Sequence, residues 1–145
     1  ILLREKNKKN LVRKIDQIKN KGFLVLVKAG EDDLNRFVLE KTRADIIFDL
    51  ELLPRKDAMH YRRSGLDQVK CKIAAEKKKT IGFNFWSLVQ ESKFLGRLKQ
   101  NLKFCSKYNV AYLLGSFADK PELMRSPNEL QSFLRSLNQP IKKSI

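Results

Sequence analysis

The chain has 145 residues and carries 31 Lys and Arg against 16 Asp and Glu, giving a formal net charge of +15 and a sequence pI of about 10.0. A field of that sign selects polyanions as partners, while a hydrophobic content of 42% excludes a disordered basic tail and supplies a core for one modest domain. No apolar run approaches the roughly 20 residues needed to cross a bilayer and no signal-peptide pattern opens the chain, so the expectation is a soluble intracellular protein.

In chain order, "ILLRE" at residues 1–5 reads as a strand. Leu11, Ile15 and Ile18 share a helical stripe that ends at Gly22, a suitable C-terminal cap. Phe23 to Val27 form a short apolar run, followed by a second helix opened by Glu31, Asp32 and Asp33 and carrying Leu34, Phe37 and Val38 inward. The run from Ala44 to Leu50 gives the next strand, and Glu51 to Ser64 is the longest irregular stretch. Leu66, Val69 and Ile73 make the third helical stripe; Thr80 to Phe85 and Val110 to Gly115 are further strands. They flank a fourth stripe of Phe94, Leu95, Leu98, Leu102 and Cys105. The last helix has a capping box: Ser126 caps, Pro127 takes the first position and Glu129 lies three residues on.

Short apolar runs without strict alternation suit strands covered on both faces, and their alternation with helices predicts a single α/β domain over 1–145 with a mainly parallel sheet. A complete (β/α) barrel takes about 200 to 250 residues, so the chain accounts for an incomplete barrel or a smaller open sheet. A first residue other than Met, and an end just after a helix, lead to the expectation of truncation at both ends.

Ligands of parallel sheets gather beyond the carboxyl ends of the strands, which draws attention to "ELLPRKDAMHYRRS" with Arg55, Lys56, His60, Tyr61, Arg62 and Arg63. The helix that follows carries Lys70 and Lys77 on one stripe and Lys72 and Lys79 on another, with Lys78 beside them. Loop and helix together form one continuous basic surface in this reading; the alternative is an ordinary solvated helix face. Asp45, Asp49 and Glu51 share a side of an ideal strand and offer a metal-dependent phosphoesterase site, set against strand-end solvation or ion pairing. Cys71 and Cys105 match no metal spacing and read as buried thiols; His60 is the single histidine, which leaves zinc sites and histidine-based triads poorly supplied. Ser87, Ser116 and Ser126 accordingly lack a histidine partner. Trp86 is a candidate base-stacking ring or, alternatively, part of the core.

"FLVLVKAGEDDLNRFVLEKTRADII", "RRSGLDQVKCKIAAEKKKTIGFNFWSLV" and "LKQNLKFCSKYNVAYLLGSFADKPELMRSPNEL" resemble, in order, the protein component 3 family of ribonuclease P, the thirty-kilodalton-type subunit of archaea and eukaryotes. The resemblance implies a TIM-barrel-like fold related to the PHP-type metal-dependent phosphoesterases without their histidine ligands. It also implies a non-catalytic, RNA-binding role, set against the phosphoesterase reading above and a basic module binding another structured RNA. The endoribonuclease site would belong to the RNA, which removes the 5′ leader from precursor tRNA with Mg²⁺. Ribonuclease P RNA, precursor tRNA in the holoenzyme and a small RRM-like protein subunit are the implied partners. The location implied is cytoplasmic in an archaeon and nuclear or nucleolar in a eukaryote. Arg62, Arg63 and Ser64 to Asp67 match the family's basic loop and helix start, Lys70, Lys72 and Lys77 its basic helix face, and Arg125 its "RSP" arginine. Arg55 and Lys78 complete the expected RNA-binding set. The chain departs from the pattern at Asp67 and Gln68, and at Asp119, where an arginine is common and Lys120 is the nearest cation.

Overall fold

The computed structural model describes residues 1–54, 56–118 and 120–138. Five parallel strands, β1 (Leu2–Leu3), β2 (Leu26–Lys28), β3 (Ile46–Phe48), β4 (Thr80–Asn84) and β5 (Ala111–Gly115), lie side by side in the order of the chain. Six helices connect or follow them: α1 (Lys8–Asn20), α2 (Asp32–Lys41), α3 (Gln68–Glu76), α4 (Phe85–Gln90), α5 (Ser92–Tyr108) and α6 (Pro127–Asn138). This is the expected α/β architecture with a parallel sheet. Its strand order never reverses, as in successive strands of a barrel and unlike a doubly wound sheet.

Register divides the sheet into two faces. Val27 pairs with Ile47, Ile47 with Ile81, and Ile81 with Tyr112. Val27, Ile47, Ile81, Phe83 and Leu114 join one buried cluster with Leu11 and Ile15 of α1, Leu34 and Val38 of α2, Ala74 of α3, Leu98 and Leu102 of α5, and Leu130 of α6. The helices therefore cover one face. The opposite face carries Ile46 and Phe48; Gly82 lies opposite Phe48, and a Cβ there would stand 2.9 Å from the Cβ of Phe48. Phe117 stacks on Phe48 with ring centroids 5.0 Å apart.

The local signals explain most helix ends. The α1 chain leaves its helix through Gly22 at φ +80°, where an L side chain is strained. Ser126 and Glu129 form the capping box at α6: Ser126 N–H donates to Glu129 Oε2 at 2.8 Å and Glu129 N–H to Ser126 Oγ at 3.3 Å. Two expectations are corrected. The run from Ala44 to Leu50 is strand only through Phe48, because Asp49 turns into left-handed backbone at φ 66° and Leu50–Leu52 form a 3₁₀ turn. Helix α3 is rotated from the expected stripe: Lys70, Cys71 and Ala74 are buried and Val69 is exposed, because α3 packs between α2 and α5 rather than on the sheet alone. Cys71 and Cys105 are buried free thiols, both pushed up to about 12 chiefly by burial.

Gly65 marks the tightest point. Its φ is +81°, and a Cβ there would lie 2.3 Å from the carbonyl oxygen of Leu50. Gly65→Ala is expected to cost at least about 2 kcal/mol, from backbone strain and the displaced 3₁₀ turn, as measured by urea unfolding.

Candidate nucleic-acid interface

The loop between β3 and α3 is held by one face of α5. Arg97, nearly fully buried, donates from Nη1 to the carbonyls of Glu51 and Leu53, both at 3.0 Å, and from Nε to Asp57 Oδ1 at 3.0 Å. One turn on, Gln100 Nε2 donates to the carbonyl of Arg62 at 2.9 Å and Asn101 Nδ2 to that of Ser64 at 2.9 Å. Positions 97, 100 and 101 lie on one side of a helix, so α5 reads the loop's backbone with three side chains. Partial burial pushes the Asp57 carboxyl up, but hydrogen bonding and the charge of Arg97 hold it below its ordinary value. Within the loop, Ala58 and Tyr61 exchange backbone hydrogen bonds at 2.8 and 3.3 Å, which makes a tight turn of what reads in sequence as irregular chain.

This clamp delivers Arg62 to the start of an open groove of about 910 Å³ along α5. Gly96 makes room for the guanidinium: a Cβ there would be 2.8 Å from Arg62 Nε and 3.0 Å from its Cζ. Lys99, Lys103 and Lys107 follow in the groove wall at four-residue intervals, about 6 Å apart along the helix axis. Lys99 and Lys103 are exposed and have no carboxylate within ion-pair reach among the described residues; Lys107 lies over the Tyr108 ring, 5.5 Å from its centroid. Sequence reading missed these three lysines because their segment was judged by its apolar stripe. The four-residue recurrence of lysine opposite that stripe was the available signal.

The expected residues divide into groups. Arg62 and Arg63 are exposed on the clamped loop, Lys72 on the outer side of α3, Lys77 and Lys78 at its far end, and Arg125 before α6, 3.8 Å from Glu129. Arg55 and Asp119 lie outside the described residues. Lys70 is not on the surface. It is buried between Asp32, at 2.9 Å, and Asp67, whose Oδ1 also caps α3 by accepting the Lys70 N–H at 2.8 Å. Burial pushes Lys70 down, but the hydrogen bonds and charges of Asp67 and Asp32 leave it above its ordinary value. Its role is structural, since α3 turns that stripe toward α2. The continuous surface is also divided: α3, about 13 Å long, separates Arg62 and Arg63 from Lys77 and Lys78.

The three carboxylates do not converge. Asp45 precedes β3 and is engaged by Lys19 Nζ at 2.8 Å and Val25 N–H at 2.8 Å, whereas Asp49 follows the strand, about 13 Å farther along. Asp49 pairs with Lys28 at 3.3 Å. Glu51 is fully buried and pushed up to about 8, first by burial and then by the charge of Asp49, so near neutrality it carries a proton. Among the described residues no group of three or more His, Cys, Asp or Glu is placed to hold a metal ion. Trp86 sits in the first turn of α4, directly after β4, and is half-buried.

Two outcomes follow from this geometry. Arg97→Ala leaves the Glu51 and Leu53 carbonyls without their donor and Asp57 with only the Arg63 N–H, and the expected loss is roughly 2 to 4 kcal/mol in urea unfolding. For Glu51 the folded state holds its proton up to about pH 8, while the unfolded chain releases it near 4.5. The folded state thus binds more protons across that window, and its stability falls as pH rises through it. Glu51→Gln is expected to flatten the fall when unfolding is followed from about pH 5 to about pH 8.

No family model matches the chain. Curated relatives do, all named ribonuclease P protein component 3: that of Methanosarcina acetivorans is 34% identical over 135 residues, covering 90% of this chain and 53% of the relative. That of Methanococcus maripaludis is 29% identical over 144 residues, covering 96% and 59%, and that of Methanocaldococcus jannaschii is 27% identical over 146 residues, covering 97% and 60%. The chain thus spans a little over half the length of the curated relatives it matches. A chain in the cryo-EM structure of archaeal ribonuclease P with mature tRNA superposes with a TM-score of 0.78 at 24% identity, over 96% of this chain and 59% of that one, and shares its fold. The resemblance read from the residues therefore holds along nearly the whole sequence: this chain is a relative of the archaeal ribonuclease P protein component 3 proteins.

Proposed function

We propose that the chain is a non-catalytic RNA-binding component of ribonuclease P, supporting the catalytic RNA as it removes the 5′ leader from precursor tRNA. The observation that carries this reading is the match to relatives of that name over nine-tenths or more of the chain, on a protein whose net charge is +15. The clamped loop and the α5 groove give that charge a place. Arg62, Lys99 and Lys103 stand in a row, and among the described residues the two lysines have no carboxylate within ion-pair reach, a geometry suited to consecutive phosphates of one strand. Arg63, Lys72 and Arg125 are exposed cations outside the row.

The physical role is charge neutralisation. Cations placed opposite RNA phosphates lower the repulsion that opposes the folded RNA and so reduce the Mg²⁺ the RNA needs; the Mg²⁺ belongs to the RNA. An RRM-like protein subunit is the proposed protein partner. The archaeal source of the relatives supports a cytoplasmic setting, and no helix among the described residues is long and apolar enough to cross a membrane.

The test is cleavage of a precursor tRNA by ribonuclease P RNA at limiting Mg²⁺, with the chain and its RRM-like partner added or omitted. Restored cleavage is expected, and it is expected to weaken in Arg62→Gln/Lys99→Gln/Lys103→Gln; cleavage indifferent to the chain overturns the reading. Gly96→Ala gives a sharper check, because it alters no charge. The displaced Arg62 side chain can swing aside at small cost to the fold, so RNA affinity in a filter-binding assay is expected to fall several-fold while the melting temperature stays close to that of the parent. If six to ten phosphates are contacted, affinity drops on the order of a thousandfold or more between about 50 and about 200 mM salt, with duplex DNA as the guide.

A further inference from the structure

The lysines at the end of α3 were expected to extend the basic loop, but the fold assembles them elsewhere. Lys77, Lys78 and Lys79 meet Lys19 from the end of α1 and Arg43 from the end of α2 around a hollow of about 490 Å³, floored by the openings of β3 and β4. No lining residue is shared with the α5 groove. One carboxylate, Asp45, lines the hollow, and it is already committed: Lys19 Nζ donates to both its oxygens, at 2.8 and 3.1 Å, and Val25 N–H to one of them. Lys79 spends its ammonium on two neutral acceptors, the carbonyls of Thr42 at 2.7 Å and Ala44 at 2.6 Å. Arg43 reaches Asp16 only at 3.7 Å and Lys77 reaches Glu76 at 3.4 Å, both exposed pairs that solvent and salt screen. Lys78 is exposed and has no carboxylate partner among the described residues; its backbone is held at φ 52° beside the hollow.

Five cations thus share one lining carboxylate, and Lys19 alone already answers it. Such crowding is unfavourable without an anion. Burial first, and then the charges of Lys19 and Lys77, push Lys79 below its ordinary value against the pull of Asp45. An anion seated among these groups would relieve the repulsion. The hollow is open rather than enclosed and its cations stand on three different connections, which fits a phosphodiester backbone crossing its mouth.

We infer that the hollow formed by Lys19, Arg43 and Lys77 to Lys79 is a second phosphate-binding site for the RNA backbone, separate from the α5 groove. The inference rests on the RNA-binding reading and adds a second contact at the amino-terminal ends of the strands, beyond α3 from Arg62. Lys19 and Lys79 hold the chain together, whereas Arg43 and Lys77 have only exposed, exchangeable partners and Lys78 has no carboxylate partner among the described residues, so these three can turn to the ligand.

The experiment compares binding of a labelled RNA hairpin, across several salt concentrations, to the parent chain and three variants whose folding is checked by circular dichroism. These are Arg43→Gln/Lys77→Gln/Lys78→Gln, the groove variant Arg62→Gln/Lys99→Gln/Lys103→Gln, and the charge-matched control Lys6→Gln/Lys9→Gln/Arg13→Gln on the exposed start of α1. The expected result is a loss of about tenfold or more beyond the control for the hollow variant, with the salt slope reduced by about two. A hollow variant that binds like the control, while the groove variant is impaired, overturns the second site and leaves the RNA reading standing. A parent chain with no salt-dependent hairpin binding overturns both. A parallel titration with inorganic phosphate separates the sources: phosphate binding lost in the hollow variant, with hairpin binding equal to the control, assigns the hollow to free phosphate and overturns the RNA assignment.

Discussion

A guanidinium withdrawn from water must find fixed acceptors, and Arg97 finds them by gathering the chain between β3 and α3. Two main-chain carbonyls and one carboxylate satisfy it, so the loop cannot relax without leaving a buried charge unpaired. The rest of the exposed chemistry depends on this bond set. Gln100 and Asn101 extend the clamp to Arg62 and Ser64, and Gly65 brings the chain against Leu50 where no side chain fits. A loop rich in cations, which would otherwise sample many conformations against its own repulsion, is presented in one. Fixing those cations before a polyanion arrives lowers the ordering cost of binding.

The chain's positive charges consequently fall into two kinds. Arg97, Lys70 and Lys79 are internal fasteners whose donors are consumed by carbonyls and carboxylates. Lys99, Lys103 and Lys78 are exposed and, among the described residues, have no carboxylate partner, and Arg62 is exposed beside the first two. The same residue type serves both purposes, and only the neighbours distinguish them. That division gives the excess of +15 its meaning: the field is concentrated where the fold has spent its carboxylates elsewhere.

The buried pair Asp49 and Glu51 lies at the carboxyl end of β3, where parallel sheets place their ligand chemistry. Here the position is occupied by a protonated acid beside an ion pair with Lys28 and not by a cluster of charged ligands. Together with the unreversed strand order, it leaves a barrel-like succession of parallel strands whose polar ends are packed inside while the helical exterior carries the charge.

Much of the fold was legible in the residues alone. Short apolar runs alternating with amphipathic helices require a parallel sheet under helices, and the Ser126 to Glu129 capping box and Gly22 fix their helix ends through bonds local to the sequence. The net charge and the family pattern pointed to RNA for the same reason: composition and short motifs survive without knowledge of contacts. What the tertiary structure decided was the fate of individual side chains. Lys70 is buried because α3 packs against α2 and meets Asp32, 38 positions away in sequence. Lys77 and Lys78 part from Arg62 because a helix's two ends point to opposite ends of the sheet. Arg62 comes to lie in one groove with Lys99 and Lys103 because Gly96 leaves room for its guanidinium. Each of these is a contact between segments far apart in the chain, and periodicity, which reports only on a segment's own face, carries no information about its partner.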